Sequence, residues 1–566
     1  MSATHDNASA PAYTVGDYLL TRLAEAGVRD LFGVPGDYNL AFLDHVLAND
    51  NIRWVGTANE LDAAYAADGY GRVNGVGALL TTFGVGELSA INGVAGSYAE
   101  YVPVIHVVGA PSTSAEQAGA LMHHTLGDGD FHRFARAHRE VTAAQAYLRP
   151  GDAAEEIDRV IATALRERRP GYLVIPTDVA AGPAEPPAVP LTVLEPDASQ
   201  NVRAAFAEHV RTLLEDAGSV TVLADFLADR FDALPELNDL VSHGMPYATL
   251  SLGKGILDET DPGFVGVYSG SSSDKPAREA VETADVVLSV GVRFTDTTTT
   301  GFSQQLPDDR TVDVQPFDAR VGSLRFAPLP MRDAVRTLAE IVAEHGQRWE
   351  RPELTAPTAM EALRNKPDRE PVLHQDELWA AIEQYLRPAD ILVAEQGTAF
   401  FGAQGLRLPP GVTFIGQPLW GSIGYTVPAT LGAQTAEPNR RTVLVVGDGS
   451  AQLTAQEIGT MIREGRNPLI LLLNNSGYTV ERAIHGSEQR YNDISPWNWS
   501  LLPAALGGGD KVITRRVTSP NELSDVLDEV ADPTGVVLVE VMLPVHDVPP
   551  LLAVISQAIA RANAAT

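Results

Sequence analysis

Short apolar runs alternate with helical patterns along the whole chain. In the first third, the runs RWVG, GALLTTF, VPVIHVVGA and GYLVIPTD have the length and composition of buried strands, and the helical segments NELDAAYAADGYGR and GELSAINGVAGSYAE lie between them. Apolar strands that alternate with helices are typical of parallel sheets covered by helices on both faces. We therefore predict an α/β protein built from doubly wound parallel sheets.

A Pro-rich stretch, GPAEPPAVPLTVLEP, and a polar stretch around RNKPDREP divide this pattern into three regions, as linkers do. The predicted segments are a flexible N-terminus (1–12), a first α/β domain (13–182), a linker (183–197), a central α/β domain (198–350), a second linker (351–370) and a last α/β domain (371–566). The first and last domains finish in similar strands, GYLVIPTD and GVVLVEVML, so we expect them to be related in topology.

Net charge and composition reduce the range of partners that we expect the chain to bind. The 566 residues include 73 acidic and 41 basic side chains, which gives a net charge of −32, and no cysteine. Such a charge repels phosphate backbones and anionic lipid, so we expect neither nucleic acid nor a membrane as partner. The lack of cysteine excludes disulfides, thiolate metal sites and a catalytic thiol. No apolar run approaches the length of a membrane span and residues 1–11 lack the features of a signal peptide, so we expect a cytoplasmic protein.

The strongest chemical signal lies at the ends of two predicted strands. RTVLVVGDG brings Asp448 to the end of one strand, and PLILLLNN brings Asn475 to the end of the next, with Gly477 shortly after it. A right-handed crossover places the carboxyl ends of two such strands at the same edge of a sheet. Their carboxylate, amide and carbonyl oxygens suit Mg²⁺, and the helix after Asp448 would direct its positive end at a phosphate. The alternative is that both motifs are simply turns; the spacing and the flanking strands favour a magnesium–diphosphate site.

With these motifs the chain resembles the thiamine-diphosphate enzymes, whose fingerprint is GDG followed by NN. The resemblance extends over nearly the whole length and is strongest to the 2-keto acid decarboxylases that act on pyruvate, indolepyruvate, phenylpyruvate and branched-chain keto acids. It rests on FGVPGDYNL, TANELDAAYAADGYGR, HHTLGDGDF, PLWGSIGYT and NNSGYTVERAIHG. The paired-histidine motif separates the chain from the acetohydroxyacid synthases, which lack it.

The resemblance implies that the first domain binds the pyrimidine of thiamine diphosphate and the last domain its diphosphate and Mg²⁺. Glu60 would contact the pyrimidine N1′ and promote the imino tautomer; taken alone, a Glu in the first turn of a helix more often interacts with the helix dipole. The remaining implied ligands are Gly421 for the 4′-amino group, Ile423 between the two rings, Thr398, Gly449 and Ser450 for the diphosphate, and Asp448, Asn475 and Gly477 for Mg²⁺.

Four polar residues match the groups that move protons in the family alongside Glu60: Asp37, His123, His124 and Glu481. Addition of the C2 carbanion to a keto carbon needs a proton donor at the nascent alkoxide, and the enamine left by loss of CO₂ needs an acid. Taken alone, adjacent histidines are more often structural, and Glu481 could be an ordinary helix residue.

The resemblance also implies an assembly. In the family, one subunit contributes the counterparts of Asp37, Glu60 and the histidines, and another contributes those of Asp448, Asn475 and Glu481. We therefore expect a homodimer or a dimer of dimers with active sites at the subunit interface. The central domain resembles a nucleotide-binding fold but has no convincing GxGxxG, so we predict that it binds no nucleotide.

Residues of the implied substrate pocket indicate a bulky substrate. Gln396 looks like its counterpart in indolepyruvate and branched-chain decarboxylases, and Val480 is smaller than the Ile of pyruvate-specific members, while Ile484 lies on the same wall. Phe400 and Phe401 look instead like the branched-chain enzymes alone. We predict non-oxidative decarboxylation of aromatic and branched-chain 2-keto acids, in amino-acid catabolism. The alternatives are a pyruvate decarboxylase, an acyloin-forming carboligase and a non-catalytic cofactor-binding subunit.

Overall fold

The structure is a computed structural model that describes residues 13–346, 349 and 372–564. The expected flexible N-terminus (1–12) and second linker (351–370) lie outside these residues. The chain divides into two compact units, Met1–Leu194 and Glu195–Thr566. In the described part of the chain, no helix combines the length and the apolar character needed to cross a membrane.

The first unit contains a six-stranded parallel sheet. Its strands are β1 (Asp30–Gly33), β2 (Arg53–Gly56), β3 (Gly77–Thr82), β4 (Val104–Ala110), β5 (Ala144–Tyr147) and β6 (Gly171–Pro176), in the order β2-β1-β3-β4-β6-β5. The helices are Val15–Glu25, Leu40–Leu47, Glu60–Asn74, Val85–Ala99, Thr113–Gln117, Arg133–His138, Ala153–Glu167 and Thr177–Ala180. Apolar side chains at helical spacing cover the sheet; in Ala153–Glu167 the buried set includes Ile157, Val160, Ile161 and Ala164.

The second unit contains two sheets, of which the central one has seven strands. These are β7 (Val220–Ala224), β8 (Tyr247–Thr249), β9 (Phe264–Val267), β10 (Val286–Val290), β11 (Thr311–Val314), β12 (Ala319–Val321) and β13 (Leu324–Phe326), in the order β13-β12-β11-β10-β7-β8-β9. Its helices are Gln200–Glu215, Leu227–Arg230, Leu234–Ser242, Lys275–Glu282 and Met331–His345. Antiparallel pairing in this sheet involves the last two strands along the chain, β12 and β13, at one edge.

The last sheet is again six-stranded and parallel. Its strands are β14 (Ile391–Ala394), β15 (Thr413–Ile415), β16 (Thr442–Gly447), β17 (Leu469–Asn474), β18 (Ile513–Val517) and β19 (Val537–Met542), in the order β15-β14-β16-β17-β19-β18. Its helices are Gln375–Tyr385, Thr398–Ala403, Thr426–Ala436, Asp448–Ala451, Glu457–Arg463, Thr479–Ile484, Pro520–Glu529 and Pro550–Ala564.

The two six-stranded sheets have the same strand order when each is numbered from its own first strand: second, first, third, fourth, sixth, fifth. The expected α/β fold and the related topology of its first and last sheets are therefore confirmed. In both sheets the order reverses beside the first strand, and parallel sheets bind ligands at the carboxyl ends of the strands next to such a reversal. In the last sheet this region lies at the ends of β14 and β16.

The apolar pattern does not predict β1, β5, β18 or the hairpin β12–β13. β18 has the sequence ITRRV and β5 the sequence AQAY, and both are edge strands with partly exposed side chains. An edge strand needs no continuous apolar run, because one of its sides is open. β1 lies inside its sheet but has only four residues and begins with Asp30, which is bonded by Arg53 of β2.

Candidate active site

Polar residues follow three neighbouring strands of the last sheet at their carboxyl ends: Glu395 after β14, Asp448 after β16 and Asn475 at the end of β17. A cavity of about 390 Å³ opens at this edge. The sequence-predicted residues in its lining are Gln396, Thr398, Phe401, Gly421, Ile423, Gly449, Ser450, Asn475, Gly477, Val480, Glu481 and Ile484. One cavity therefore gathers most of the residues predicted for the diphosphate and the substrate.

Asp448 lies just behind this lining and is 2% exposed. Its Oδ1 accepts a hydrogen bond from the Gly449 amide at 2.9 Å, and its Oδ2 accepts one from the Gly477 amide at 3.2 Å. The two motifs of the fingerprint are thus joined directly. Burial raises the pKa of Asp448 to about 6, although backbone hydrogen bonds oppose the rise. A bound cation would favour the ionised form of such a carboxyl.

The donor set fits Mg²⁺ and a diphosphate. Asn475 is 3% exposed, and no described residue donates a hydrogen bond to its buried Oδ1. A buried amide oxygen without a partner costs free energy, and a metal ion at this oxygen would remove that cost. A Cβ at Gly449 would lie 2.7 Å from the ring of Tyr478, so the backbone packs too closely here for any other residue.

Arg482 stabilises the turn that carries Asn475, and the sequence interpretation missed it. The guanidinium is nearly buried and donates to the carbonyl oxygens of Ser476 at 2.8 Å and Asn492 at 3.3 Å. It also forms an ion pair with Asp493 at 3.1 Å. Arg482 immediately follows Glu481 in the quoted motif, so its place near the site was visible but its role as a clamp was not.

Apolar side chains form another part of the cavity lining. Val480 and Ile484, four positions apart on the helix Thr479–Ile484, both line it, as does Phe401. Phe400 is not among the lining residues: its ring packs on Phe414, with centroids 5.9 Å apart, within an apolar cluster. The lining residues that sequence reasoning missed include Asp296, Thr297, Glu395, Leu552 and Ile555.

Leu552 and Ile555 belong to the helix Pro550–Ala564, and Thr297 follows β10 of the central sheet. Each approaches the cavity from a segment far from the motifs along the chain. No local pattern marks Leu552 or Ile555, because an apolar residue on a helix normally indicates only a core contact.

In the first unit, Asp37, His123 and His124 lie together. His123 Nε2 is 2.6 Å from Asp37 Oδ2, and His124 Nδ1 is 4.0 Å from Asp37 Oδ1. The Tyr38 hydroxyl lies 3.1 Å from His123 Nδ1, and the two rings stack at 4.8 Å. Since a carboxylate only accepts, the neutral imidazole would carry its proton on Nε2 and accept from Tyr38 at Nδ1. Tyr38, which was not predicted, thus orients the histidine.

Glu60 is the first residue of the helix Glu60–Asn74 and is partly exposed in the isolated chain. The preceding Asn59 caps the helix: its side chain accepts from the Asp62 amide at 2.9 Å. The Glu60 carboxylate reaches the start of the next helix, where a Cβ at Gly86 would lie 3.1 Å from its Oε1. The Glu60 carboxyl therefore lies beside the start of the helix Val85–Ala99.

Comparison with known protein families identifies the class of protein to which these features belong. Models described as thiamine pyrophosphate enzyme match the chain in three parts: the N-terminal TPP binding domain at residues 13–132, the central domain at 207–341 and the C-terminal TPP binding domain at 397–541. Both fingerprint motifs and most of the cavity lining lie within the last of these, and Asp296 and Thr297 lie within the central one. Fold and site therefore define a thiamine-pyrophosphate enzyme.

Full-length relatives narrow the class. A protein of Mycobacterium ulcerans (strain Agy99) named alpha-keto-acid decarboxylase is 51% identical over 550 residues, which are 97% of this chain and 96% of its own length. Proteins of the same name from Mycobacterium avium (strain 104) and Mycobacterium tuberculosis (strain ATCC 25618 / H37Rv) are 51% and 49% identical over 549 residues, 97% of each chain. The chain belongs to the family of thiamine-pyrophosphate-dependent 2-keto acid decarboxylases.

Proposed function

We propose that this protein converts bulky 2-keto acids, both aromatic and branched-chain, into aldehydes and CO₂ without oxidation, using thiamine diphosphate and Mg²⁺. The observation that supports the bulky preference is the apolar wall formed by Phe401, Val480, Ile484 and Leu552 in the same cavity as the diphosphate-type site. A cavity with such a wall has room for a large side chain, which makes more apolar contact with the wall than a methyl group can.

For the cofactor, we assign Mg²⁺ to Asp448, Asn475 and Gly477, the segment joined by the hydrogen bonds of Asp448. The further cofactor residues of the proposal are Thr398, Gly449 and Ser450 for the diphosphate, Gly421 and Ile423 for the aminopyrimidine, and Glu60 for N1′. When bound, thiamine diphosphate would supply an acidic ring carbon as the nucleophile for the keto group and a positively charged ring as the acceptor of the electron pair that decarboxylation releases.

For proton transfer, we assign Asp37, His123, His124 and Glu481 as the acids and bases. The 2.6 Å bond between Asp37 and His123 lets the pair share one proton, which can be held at His123 Nε2 or moved along the bond. Glu481 lines the cavity between Val480 and Ile484, where an acid can reach a substrate carbon or oxygen. Loss of CO₂ removes a negative charge from the substrate, and the apolar wall favours that step.

We further propose that the enzyme acts as a homodimer or a dimer of dimers with active sites at subunit interfaces, as the family resemblance implies. Sedimentation equilibrium of the purified protein tests the assembly. A monomer that retains full activity would contradict it.

The direct test compares substrates. The purified protein, with Mg²⁺ and thiamine diphosphate, is incubated with pyruvate, phenylpyruvate, indolepyruvate and 4-methyl-2-oxopentanoate, and the aldehyde is followed through coupled alcohol dehydrogenase. We expect the highest kcat/KM with the bulky acids. A highest value with pyruvate would make the protein a pyruvate decarboxylase. Acyloin without free aldehyde would indicate a carboligase, and no product from any acid would indicate a non-catalytic subunit.

A further inference from the structure

Glu395 is a buried carboxyl of the cavity that has no place in the site assigned so far. It directly follows β14, is 2% exposed and belongs to the cavity lining. A charged side chain is seldom buried to this extent unless hydrogen bonds compensate its lost hydration. The question is therefore which groups bind the carboxylate, and what they belong to.

Donors from two segments converge on it. Oε2 accepts from the Thr426 hydroxyl at 2.7 Å, the Gly424 amide at 3.2 Å and the Thr426 amide at 3.3 Å. Oε1 accepts from the Gln396 amide at 3.0 Å. All four donors are neutral, and burial raises the pKa of Glu395 to about 7 while these hydrogen bonds lower it. Thus the carboxylate links the end of β14 to the turn that precedes the helix Thr426–Ala436.

This turn carries Gly421 and Ile423, both of which line the cavity. Gly421 and Gly424 have φ angles of +65° and +88°, which few other residues adopt readily. The turn is fixed at Gly424 from both sides, because its amide donates to Glu395 and its carbonyl accepts from the Thr454 hydroxyl at 2.6 Å. The position of this turn therefore depends on hydrogen bonds rather than on apolar packing alone.

Close packing leaves the turn no room to adjust elsewhere. A Cβ at Gly424 would lie 2.9 Å from the Leu453 side chain and 3.3 Å from the Ser450 carbonyl oxygen. At its other end, the Gly421 amide donates to the Gln417 carbonyl at 2.8 Å. Loss of the Glu395 bonds would therefore detach the turn from the end of β14, while its contacts with Leu453 and Gln417 remain.

We propose that Glu395 is a positioning residue whose carboxylate fixes the turn 421–426, and through it the part of the cavity that receives the aminopyrimidine of the cofactor. The inference rests on the proposed function, because it takes Gly421 and Ile423 as the aminopyrimidine contacts. It divides the cavity into two parts: the Asp448–Asn475 side, whose hydrogen bonds do not involve Glu395, and the turn side, whose hydrogen bonds do.

The test measures binding of two ligands to the full-length protein. Thiamine diphosphate with Mg²⁺ uses both parts of the cavity, whereas inorganic pyrophosphate with Mg²⁺ uses only the diphosphate part. The fluorescence of Trp420, which is 41% exposed and adjoins Gly421, can report both, with Trp420→Phe to identify its signal. In Glu395→Gln one carboxylate oxygen becomes an NH₂ group, which donates and cannot accept. It would face either the Gln396 amide or the donors of the turn, and those hydrogen bonds would be lost.

We expect Glu395→Gln to weaken the binding of thiamine diphosphate by roughly tenfold or more and to leave the affinity for pyrophosphate unchanged. A loss of this size is usual when hydrogen bonds to a buried charge are removed. Thr426→Val, which removes one donor, should show a smaller shift in the same direction, and Thr426→Ser, which keeps the hydroxyl, should restore the wild-type ratio. These Thr426 variants keep the test valid if Glu395→Gln does not fold.

The positioning role would be overturned if the variant weakened the binding of both ligands equally, or of neither ligand. A residue with only a structural role does not change the ratio of the two dissociation constants. The role would be overturned equally if Thr426→Val and Thr426→Ser gave the same ratio. If the wild-type protein binds pyrophosphate but no thiamine diphosphate, the proposed function is wrong, and the positioning role of Glu395 is wrong as well.

Discussion

Asp448, Glu395 and Glu87 are ordinary acidic residues in the sequence, but the fold buries all three. Burial raises the pKa of Asp448 to about 6 and those of Glu395 and Glu87 to about 7. Asp448 and Glu395 each accept from two or more backbone amides, whereas Glu87 accepts from the Gly84 amide and the Tyr172 hydroxyl. At the residue scale, burial and hydrogen bonds therefore determine the pKa of each carboxyl, and the sequence alone shows neither.

The metal assignment is tested by Asp448→Asn. Asparagine keeps the size of the side chain but loses the charge that Mg²⁺ requires, so we expect cofactor affinity to fall by at least roughly tenfold, equivalent to about 1.4 kcal/mol. Titration of Mg²⁺ at fixed thiamine diphosphate measures the change. Asp493→Asn is the matched control: that carboxylate is largely exposed and bonded to Arg482, and it should retain near wild-type affinity. Equal effects of the two variants would refute the assignment.

At the scale of elements, short turns between strand and helix determine where the chemistry lies. Gly84, with φ +67°, precedes the helix Val85–Ala99, and its amide donates to Glu87 at 2.7 Å. The carbonyl of His124 packs against it, so that a Cβ at Gly84 would overlap that oxygen. One helix start therefore supports the histidine pair.

We expect Gly84→Ala to displace His124 and to lower the free energy of unfolding by more than the roughly 1 kcal/mol that a positive φ alone costs alanine. Gly75→Ala separates the two causes, because Gly75 has φ +91° but nothing within 4 Å of a Cβ. Urea denaturation gives the stability, and kcat gives the effect on the site. Similar losses of stability and kcat in both variants would mean that the contact with His124 is unimportant.

The helix Thr479–Ile484 determines the width of the cavity through Val480 and Ile484. Val480→Ile adds one methylene to the wall, so we expect kcat/KM for 4-methyl-2-oxopentanoate to fall relative to pyruvate by about 1–3 kcal/mol of discrimination. Phe400→Leu changes a residue that packs behind the wall and does not line the cavity, so it should lower stability and change this ratio less than Val480→Ile does. An unchanged ratio in Val480→Ile would mean that residue 480 does not contact the side chain of the substrate.

At the scale of the whole molecule, buried titratable groups link stability to pH. Glu87 has a folded pKa of about 7 against an ordinary 4.5, so folded protein binds more protons than unfolded protein between these values, and its contribution to stability declines as the pH rises. His138 has its pKa lowered by burial to about 4 and acts in the opposite sense, since stability is lost as the pH falls below its ordinary value of 6.5.

Glu87→Gln isolates the first effect. The variant keeps an oxygen for the Gly84 amide but cannot ionise, so the decline in stability between about pH 4.5 and 7 should be shallower than in the wild type by up to roughly 1.4 kcal/mol per pH unit. Urea unfolding at pH 5, 6, 7 and 8 provides the comparison. Parallel profiles for the two proteins would show that Glu87 does not titrate in this range.

The sequence by itself determined the α/β class, the shared topology of the first and last sheets and the family, because each of these depends on short local patterns. A buried strand followed by Gly-Asp-Gly carries its hydrophobic signal and its polar group within a few residues, and parallel pairing then brings Asp448 to Gly477. Strands at the open edge of a sheet, such as β18, were not predicted, because an edge strand needs no continuous apolar run.

Only the tertiary structure decided which side chains complete the cavity. Phe400 and Phe401 are neighbours in sequence, but successive positions on a helix point in different directions, and only Phe401 lines the cavity. Leu552 and Ile555 reach it from the last helix, and Glu395 is distinguished from any other acid solely by the turn that folds onto it. Such contacts join segments far apart in the chain, and their partners are set by packing, which no local pattern records.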